Sequence, residues 1–271
     1  MPTYQFKQVD VFTSRPFFGN PVAVVIGAEG LDTAAMQRIA GWTNLSETTF
    51  LLPSTKADYR LRIFTPRQEL PFAGHPTIGS AHAALESGFI GKKQKLTQEC
   101  GAGVLDLSIE EGWIYVKAPQ PKVTRVDRPT PFGSALRVDV GPVWIVAELA
   151  DARALGALEP DMAAIGELSR GLEATGVTLF ARSEDGLGAL HVRSFAPLHG
   201  VPEDPVCGSG NISVAAYLRF LGKVEDFGSP YLARQGMQLG RDGRISVRIT
   251  ERDIQIGGRA VTCVDGTLRV S

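Results

Sequence analysis

Only three cysteines occur in this chain, Cys100, Cys207 and Cys263, far apart and with no Cys-x-x-Cys pair. An odd number at that spacing argues against a disulfide scaffold or a zinc knuckle and predicts reduced thiols. An excess of either charge is missing too: 28 Lys+Arg against 29 Asp+Glu leave a net charge of −1 and a pI near 6.4. No basic cluster is interleaved with aromatics, so a nucleic-acid partner is not expected. No apolar run approaches membrane-spanning length, and the sequence enters a strand-like pattern at Gln5 without a signal-peptide signature. These features predict a soluble, cytoplasmic protein with no membrane partner. Around Gly208-Ser209-Gly210 neither Gly-x-Gly-x-x-Gly after a strand nor Gly-x4-Gly-Lys-Ser/Thr occurs, which leaves nucleotide binding without support. Low-complexity sequence is absent. The 44% hydrophobic and 21% charged content over 271 residues is globular material, enough for two modest cores or one large one.

What the chain has instead is a second copy of part of itself. Arg62-Ile63-Phe64-Thr65-Pro66, a loop and Gly74-His75-Pro76-Thr77-Ile78-Gly79-Ser80-Ala81 return as Arg193-Ser194-Phe195-Ala196-Pro197, a loop and Glu203-Asp204-Pro205-Val206-Cys207-Gly208-Ser209-Gly210. Pro76 with Pro205, Gly79 with Gly208 and Ser80 with Ser209 share one offset (205 − 76 = 129), and Thr48-Thr49-Phe50 meets Val177-Thr178-Leu179 at the same offset. Asn20-Pro21-Val22-Ala23 also resembles Gly141-Pro142-Val143-Trp144. Solenoids and propellers are excluded, because their periods are roughly 20 to 50 residues. The alignment sets His75 opposite Asp204, and Glu47 opposite Gly176, so that this carboxylate breaks the symmetry. A duplicated lobe with different polar residues at matching points predicts two lobes and a site between them.

Period and turn residues predict strands at 5–12, 21–26, 48–52 and 59–65, helices at 32–40 (closed by Gly41) and 76–87, and a strand meander at 96–118. The second half repeats the order, with strands within 136–149 and at 177–182 and 189–195, helices at 162–170 and 205–221, and a closing meander from 244 to 263. The lobe boundary is expected in the proline-rich stretch 119–131. The expected fold class is α+β: two pseudo-symmetric lobes, each a curved sheet around a central helix. The lobes are residues 1–119 and 120–271, with the C-terminal strand a candidate to complete the first.

Proline at the first helical position, preceded by His75 or Asp204, would leave first-turn amides free to hold an anion such as a substrate carboxylate. Asp-Pro is a common helix start, and most such aspartates only cap; the repeat raises Asp204 above that reading. Glu47 lies beside the apolar strand Phe50-Leu51-Leu52, and burial there would raise its pKa, as suits a group that takes and returns a proton. His82 and His191 read as structural, and His199 as a cleft-lining residue without assigned role. Cys207 in a helix's first turn could be a stabilised thiolate, although a buried inert thiol is the commoner outcome.

Taken in order, Val9-Asp10-Val11-Phe12, Gly19-Asn20-Pro21-Val22-Ala23-Val24, Asn44-Leu45-Ser46-Glu47-Thr48, Leu70-Pro71-Phe72-Ala73-Gly74-His75-Pro76-Thr77 and Glu203-Asp204-Pro205 with Gly208-Ser209 resemble the PhzF-like phenazine-biosynthesis isomerases over nearly the whole chain. The resemblance implies a diaminopimelate epimerase-like fold, a cleft site and a homodimer. It implies Glu47 as general acid/base, His75 and Asp204 as flanking proton relays or orienting groups, and Ser209 in the cleft. Gly74 and Gly208 would allow close approach of the bound anion, and no cofactor or metal is implied. Cys207 departs from the pattern, which usually has threonine there. In related two-cysteine epimerases a catalytic cysteine falls at this position, with a partner expected at Ala73. The alternatives are therefore a racemase using Cys207 with Glu47, and a binding protein for small carboxylates without chemistry.

Overall fold

The computed structural model describes residues 1–270. The chain forms two compact units, Met1–Lys117 together with the chain from Gly257 onward, and Ala118–Ile256. The C-terminal segment thus joins the first unit, and the second is shorter than the expected 120–271.

In the first unit the elements run β1 (Thr3–Val11), β2 (Asn20–Ile26), α1 (Thr33–Thr43), β3 (Thr48–Leu52), β4 (Tyr59–Phe64), β5 (Glu69–Leu70), α2 (Gly74–Glu86), β6 (Lys95–Cys100), β7 (Gly103–Glu110) and β8 (Trp113–Lys117). The second carries β9 (Lys122–Arg125), β10 (Ala135–Asp139), β11 (Val143–Glu148), α3 (Ala152–Ala157), α4 (Met162–Gly171), β12 (Gly176–Arg182), β13 (Leu190–Ala196), β14 (Val201–Asp204), α5 (Gly208–Phe220), α6 (Val224–Phe227), β15 (Tyr231–Gln235) and β16 (Gly243–Ile249). β17 (Ile254–Gly258) runs across the boundary, and β18 (Ala260–Arg269) returns to pair antiparallel with β1.

The pairing pattern is the same in both units. β1 pairs antiparallel with β2, β2 parallel with β3, β3 antiparallel with β4, and β4 parallel with β6. β10, β11, β12, β13 and β15 repeat those relations in order. Each parallel step needs a crossover, supplied by α1 between β2 and β3, by α2 between β4 and β6, and by their counterparts in the second unit.

Each sheet curves around one buried helix. α2 touches β1, β2, β3, β4, β8 and β18, and α5 touches β9, β10, β11, β12 and β16. Ten residues of α2 are buried, as expected of a helix without a polar face. Small residues let it sit close to the strands: a Cβ on Gly79 would come within 2.5 Å of Val22 Cγ1. Thr49 on β3 and Ser80 on α2 are tied by a hydrogen bond of 2.8 Å. On the outer face, α1 buries Met36 and Ala40 against Val25, Phe50 and Phe64, while α3 and α4 bury Leu155, Ile165 and Leu168 against Ile145, Val177, Leu179 and Phe195. Full burial of a side chain of this size stabilises by about 1.5–3 kcal/mol.

Three local expectations change. α1 runs past Gly41 and ends at Asn44, which adopts the left-handed conformation at φ 54 that asparagine tolerates. α2 starts at Gly74, so Pro76 is its third residue, where a missing N–H costs nothing. α5 starts at Gly208 and not at Pro205, because Asp204 Oδ1 accepts the Val206 N–H at 3.0 Å and holds residues 205–207 in a turn.

Candidate functional site

The geometry in the first unit begins with the loop after α1. Asn44 turns the chain back, Thr43 and Thr48 clamp the loop through their hydroxyls at 2.6 Å, and the Glu47 carbonyl accepts from Ala23 N. Glu47 thereby enters β3 with its side chain 17% exposed and its Oε2 3.0 Å from His75 Nδ1. His75, buried in the first turn of α2, places its other nitrogen Nε2 2.9 Å from the Asn20 carbonyl oxygen. That carbonyl is fixed in turn by the preceding residue, whose N–H Asp10 Oδ2 accepts at 3.0 Å. A Cβ on Gly19 would lie 2.1 Å from the Val11 carbonyl oxygen, so only glycine fits there.

A carbonyl oxygen only accepts, so Nε2 of His75 carries a hydrogen. Nδ1 faces a carboxylate, and a hydrogen bond on that side needs one more proton, on His75 or on Glu47. Burial pushes the Glu47 pKa up, but the hydrogen bond and charge of His75 and a hydrogen bond from Ser46 outweigh it and hold the carboxyl below its ordinary value. The expectation of a raised pKa is therefore overturned. The Glu47 carboxyl therefore carries its charge at neutral pH beside the His75 ring.

The second unit places Cys207 at the N-cap of α5, where its Sγ accepts the Gly210 N–H at 3.2 Å. Burial and the nearby Asp204 charge push the thiol's pKa well above its usual value. This favours the buried, inert thiol over a helix-stabilised thiolate. Ala73 occupies the matching N-cap of α2 and offers no side-chain cap. Asp204 lies at the end of β14 beside the thiol, its carbonyl accepting from Gln235 Nε2 at 2.9 Å. Gln235 also accepts the Cys207 N–H and an Asn211 Nδ2 hydrogen with its Oε1, tying this turn to the start of α5. Ser209, half-buried beside Gly208, accepts from the Trp144 indole at 3.0 Å.

The structural repeat differs from the sequence repeat at this point. Since α2 starts at Gly74 and α5 at Gly208, His75 matches Ser209, five residues out of register with the alignment that paired Gly79 with Gly208. Asp204 precedes its helix and is not the counterpart of His75. Among the other histidines, His82 bonds Thr262, His191 bonds Asp185, and His199 lies exposed in a 3-10 turn. Asn20, Trp144 and Gln235 were not assigned from sequence; Asn20 lay inside a family-like motif, and Trp144 stood out only as a bulky residue opposite Ala23 in the repeated strand.

Comparisons with known proteins bear on the family and the fold. The model of the phenazine biosynthesis-like protein family (PhzC-PhzF) matches residues 9–266. The chain is 40% identical to "Antisense-enhancing sequence 1" of Schizosaccharomyces pombe, over 98% of this chain and 99% of that protein. It is 34% identical to the trans-2,3-dihydro-3-hydroxyanthranilate isomerase of Pseudomonas fluorescens, again over 98% and 99%. Its fold matches the Bacillus anthracis phenazine biosynthesis protein of the PhzF family with a TM-score of 0.89 at 26% identity, covering all of both chains. Pairing pattern, central helices, motifs and these matches lead to one conclusion: the chain belongs to the phenazine biosynthesis-like (PhzC-PhzF) family.

Proposed function

We propose that this isomerase moves a proton between two carbons of a small carboxylate substrate by acid/base catalysis, with no metal or organic cofactor. The observation that carries the reading is the Glu47–His75 pair: an ionised, largely buried carboxylate 3.0 Å from an imidazole whose far nitrogen is anchored on a backbone carbonyl. Glu47 takes the proton from one carbon, the electron pair spreads over the conjugated system of the substrate, and a proton returns to a different carbon from Glu47 or through His75. Atoms and electrons balance without an oxidant or reductant, so fixed hydrogen-bond donors are the only further requirement.

The substrate's carboxylate is assigned to the amide-rich starts of α2 and α5, with Gly74 and Gly208 admitting it closely and Asp204 and Ser209 beside it. The placement in a cleft between the two lobes, and a homodimeric state, rest on the family resemblance. A two-thiol racemase is not assembled, because Ala73, at the matching N-cap, carries no exchangeable proton.

The test is turnover of trans-2,3-dihydro-3-hydroxyanthranilate, the compound named for the Pseudomonas fluorescens relative, by chelator-treated protein, followed by chromatography. Conversion to an isomer of equal mass is expected. No conversion of it or of a panel of small cyclic carboxylates would remove the proposal.

A further inference from the structure

Strand registers and helix starts match residues of the first unit to counterparts in the second. Ala23 is opposite Thr48 in the parallel pair β2–β3, and Ile145 is opposite Val177 in β11–β12. Glu47 therefore corresponds to Gly176, Val22 to Trp144, and His75 to Ser209. In the second unit no side chain fits at the Glu47 counterpart: a Cβ on Gly176 would lie 2.0 Å from the Phe195 carbonyl oxygen and 2.9 Å from Trp144 Cζ3. The buried indole of Trp144 fills that volume, and its Nε1 donates to Ser209 Oγ at 3.0 Å. Where one unit pairs a carboxylate with a histidine, the other pairs an indole with a serine.

We propose that Trp144 is a positioning residue that fixes Ser209 as a hydrogen-bond donor to an oxygen of the substrate; this rests on the function proposed above. The indole N–H can only donate, so Ser209 Oγ accepts from it and its own hydroxyl hydrogen must point elsewhere. The other polar neighbour of that oxygen is Cys207 Sγ at 3.5 Å, a weak acceptor. Ser209 is only half-buried, so an anionic oxygen reaching the start of α5 is a better partner for the hydroxyl than the thiol. Within the second unit, oriented donation then comes from Ser209.

The test uses the full chain labelled with nitrogen-15. Its three tryptophans give three indole signals, and Trp144→Phe identifies the one that matters. Ser209→Ala should shift the Trp144 signal, and Ser209→Thr, which keeps the hydroxyl, should restore it. Titration with anthranilate should move the signal in the wild type and not in Ser209→Ala. In turnover of trans-2,3-dihydro-3-hydroxyanthranilate, Trp144→Phe should lower kcat/KM by about tenfold. The double variant with Ser209→Ala should be no worse than Ser209→Ala alone. A Trp144 signal indifferent to Ser209→Ala, one that ignores saturating anthranilate, or additive kinetic losses would overturn the proposal. Absence of turnover would count against the proposed function and leave the spectroscopic arm to decide the Trp144 assignment.

Discussion

Glu47 and His75 hold a proton between them, with Oε2 and Nδ1 3.0 Å apart and the opposite ring nitrogen committed to the Asn20 carbonyl. The carboxyl's pKa is depressed because the hydrogen bonds and charge of this pair exceed the cost of burying it.

That depression makes stability depend on pH. A carboxylate with a lowered folded-state pKa adds stability above its unfolded value and loses it as pH falls through the folded value. Wild-type protein should therefore be more stable than Glu47→Gln at neutral pH, and the gap should close on acidification below the ordinary glutamate range. Urea midpoints measured across that range check this, and a gap that widens toward acid contradicts it.

Cys207 caps α5, its Sγ accepting the Gly210 N–H. Threonine is a preferred cap and keeps an acceptor for the Gly210 N–H, so Cys207→Thr should retain activity within about threefold. Steady-state kinetics of the variant decide it; a loss as deep as that of Glu47→Gln would return the thiol to the chemistry.

Gly176 has no room for any side chain. Gly176→Ala should destabilise the protein by about 2–3 kcal/mol through overpacking against Phe195 and Trp144. Equilibrium unfolding of the variant measures this, and a neutral result would mean that the indole is free to move away.

The start of α2 lacks a side-chain cap at Ala73. Ala73→Asp should stabilise the helix by about 0.5–1 kcal/mol. The same carboxylate would compete for the amides assigned to the substrate, raising KM by about two- to fivefold. A variant more stable with unchanged KM would show that this helix start does not hold the anion.

Much of this was legible in the sequence because turn residues and apolar period mark strands and helices directly. Thr48–Leu52, Tyr59–Phe64 and Met162–Gly171 fell within a residue or so of expectation. What escaped depends on partners distant in sequence. Pro205 looked like a helix start, yet the Asp204 side chain captures the Val206 amide and delays α5 by three residues; that slip put Asp204, and not Ser209, opposite His75. The direction of the Glu47 shift was missed because the partner that sets it comes from another element. The short segments Ala152–Ala157, Lys122–Arg125 and Tyr231–Gln235 carry too few residues for a period to show.

Proton transfer by Glu47 is the central claim, and solvent deuterium reads it most directly. Wild-type protein and Glu47→Gln are incubated with trans-2,3-dihydro-3-hydroxyanthranilate in deuterated water, and carbon-bound deuterium is measured by mass spectrometry. The account predicts incorporation at the reprotonated carbon of the product by the wild type, and a rate lower by about a hundredfold or more in the folded Glu47→Gln variant. Equal rates of incorporation in the two proteins would contradict it.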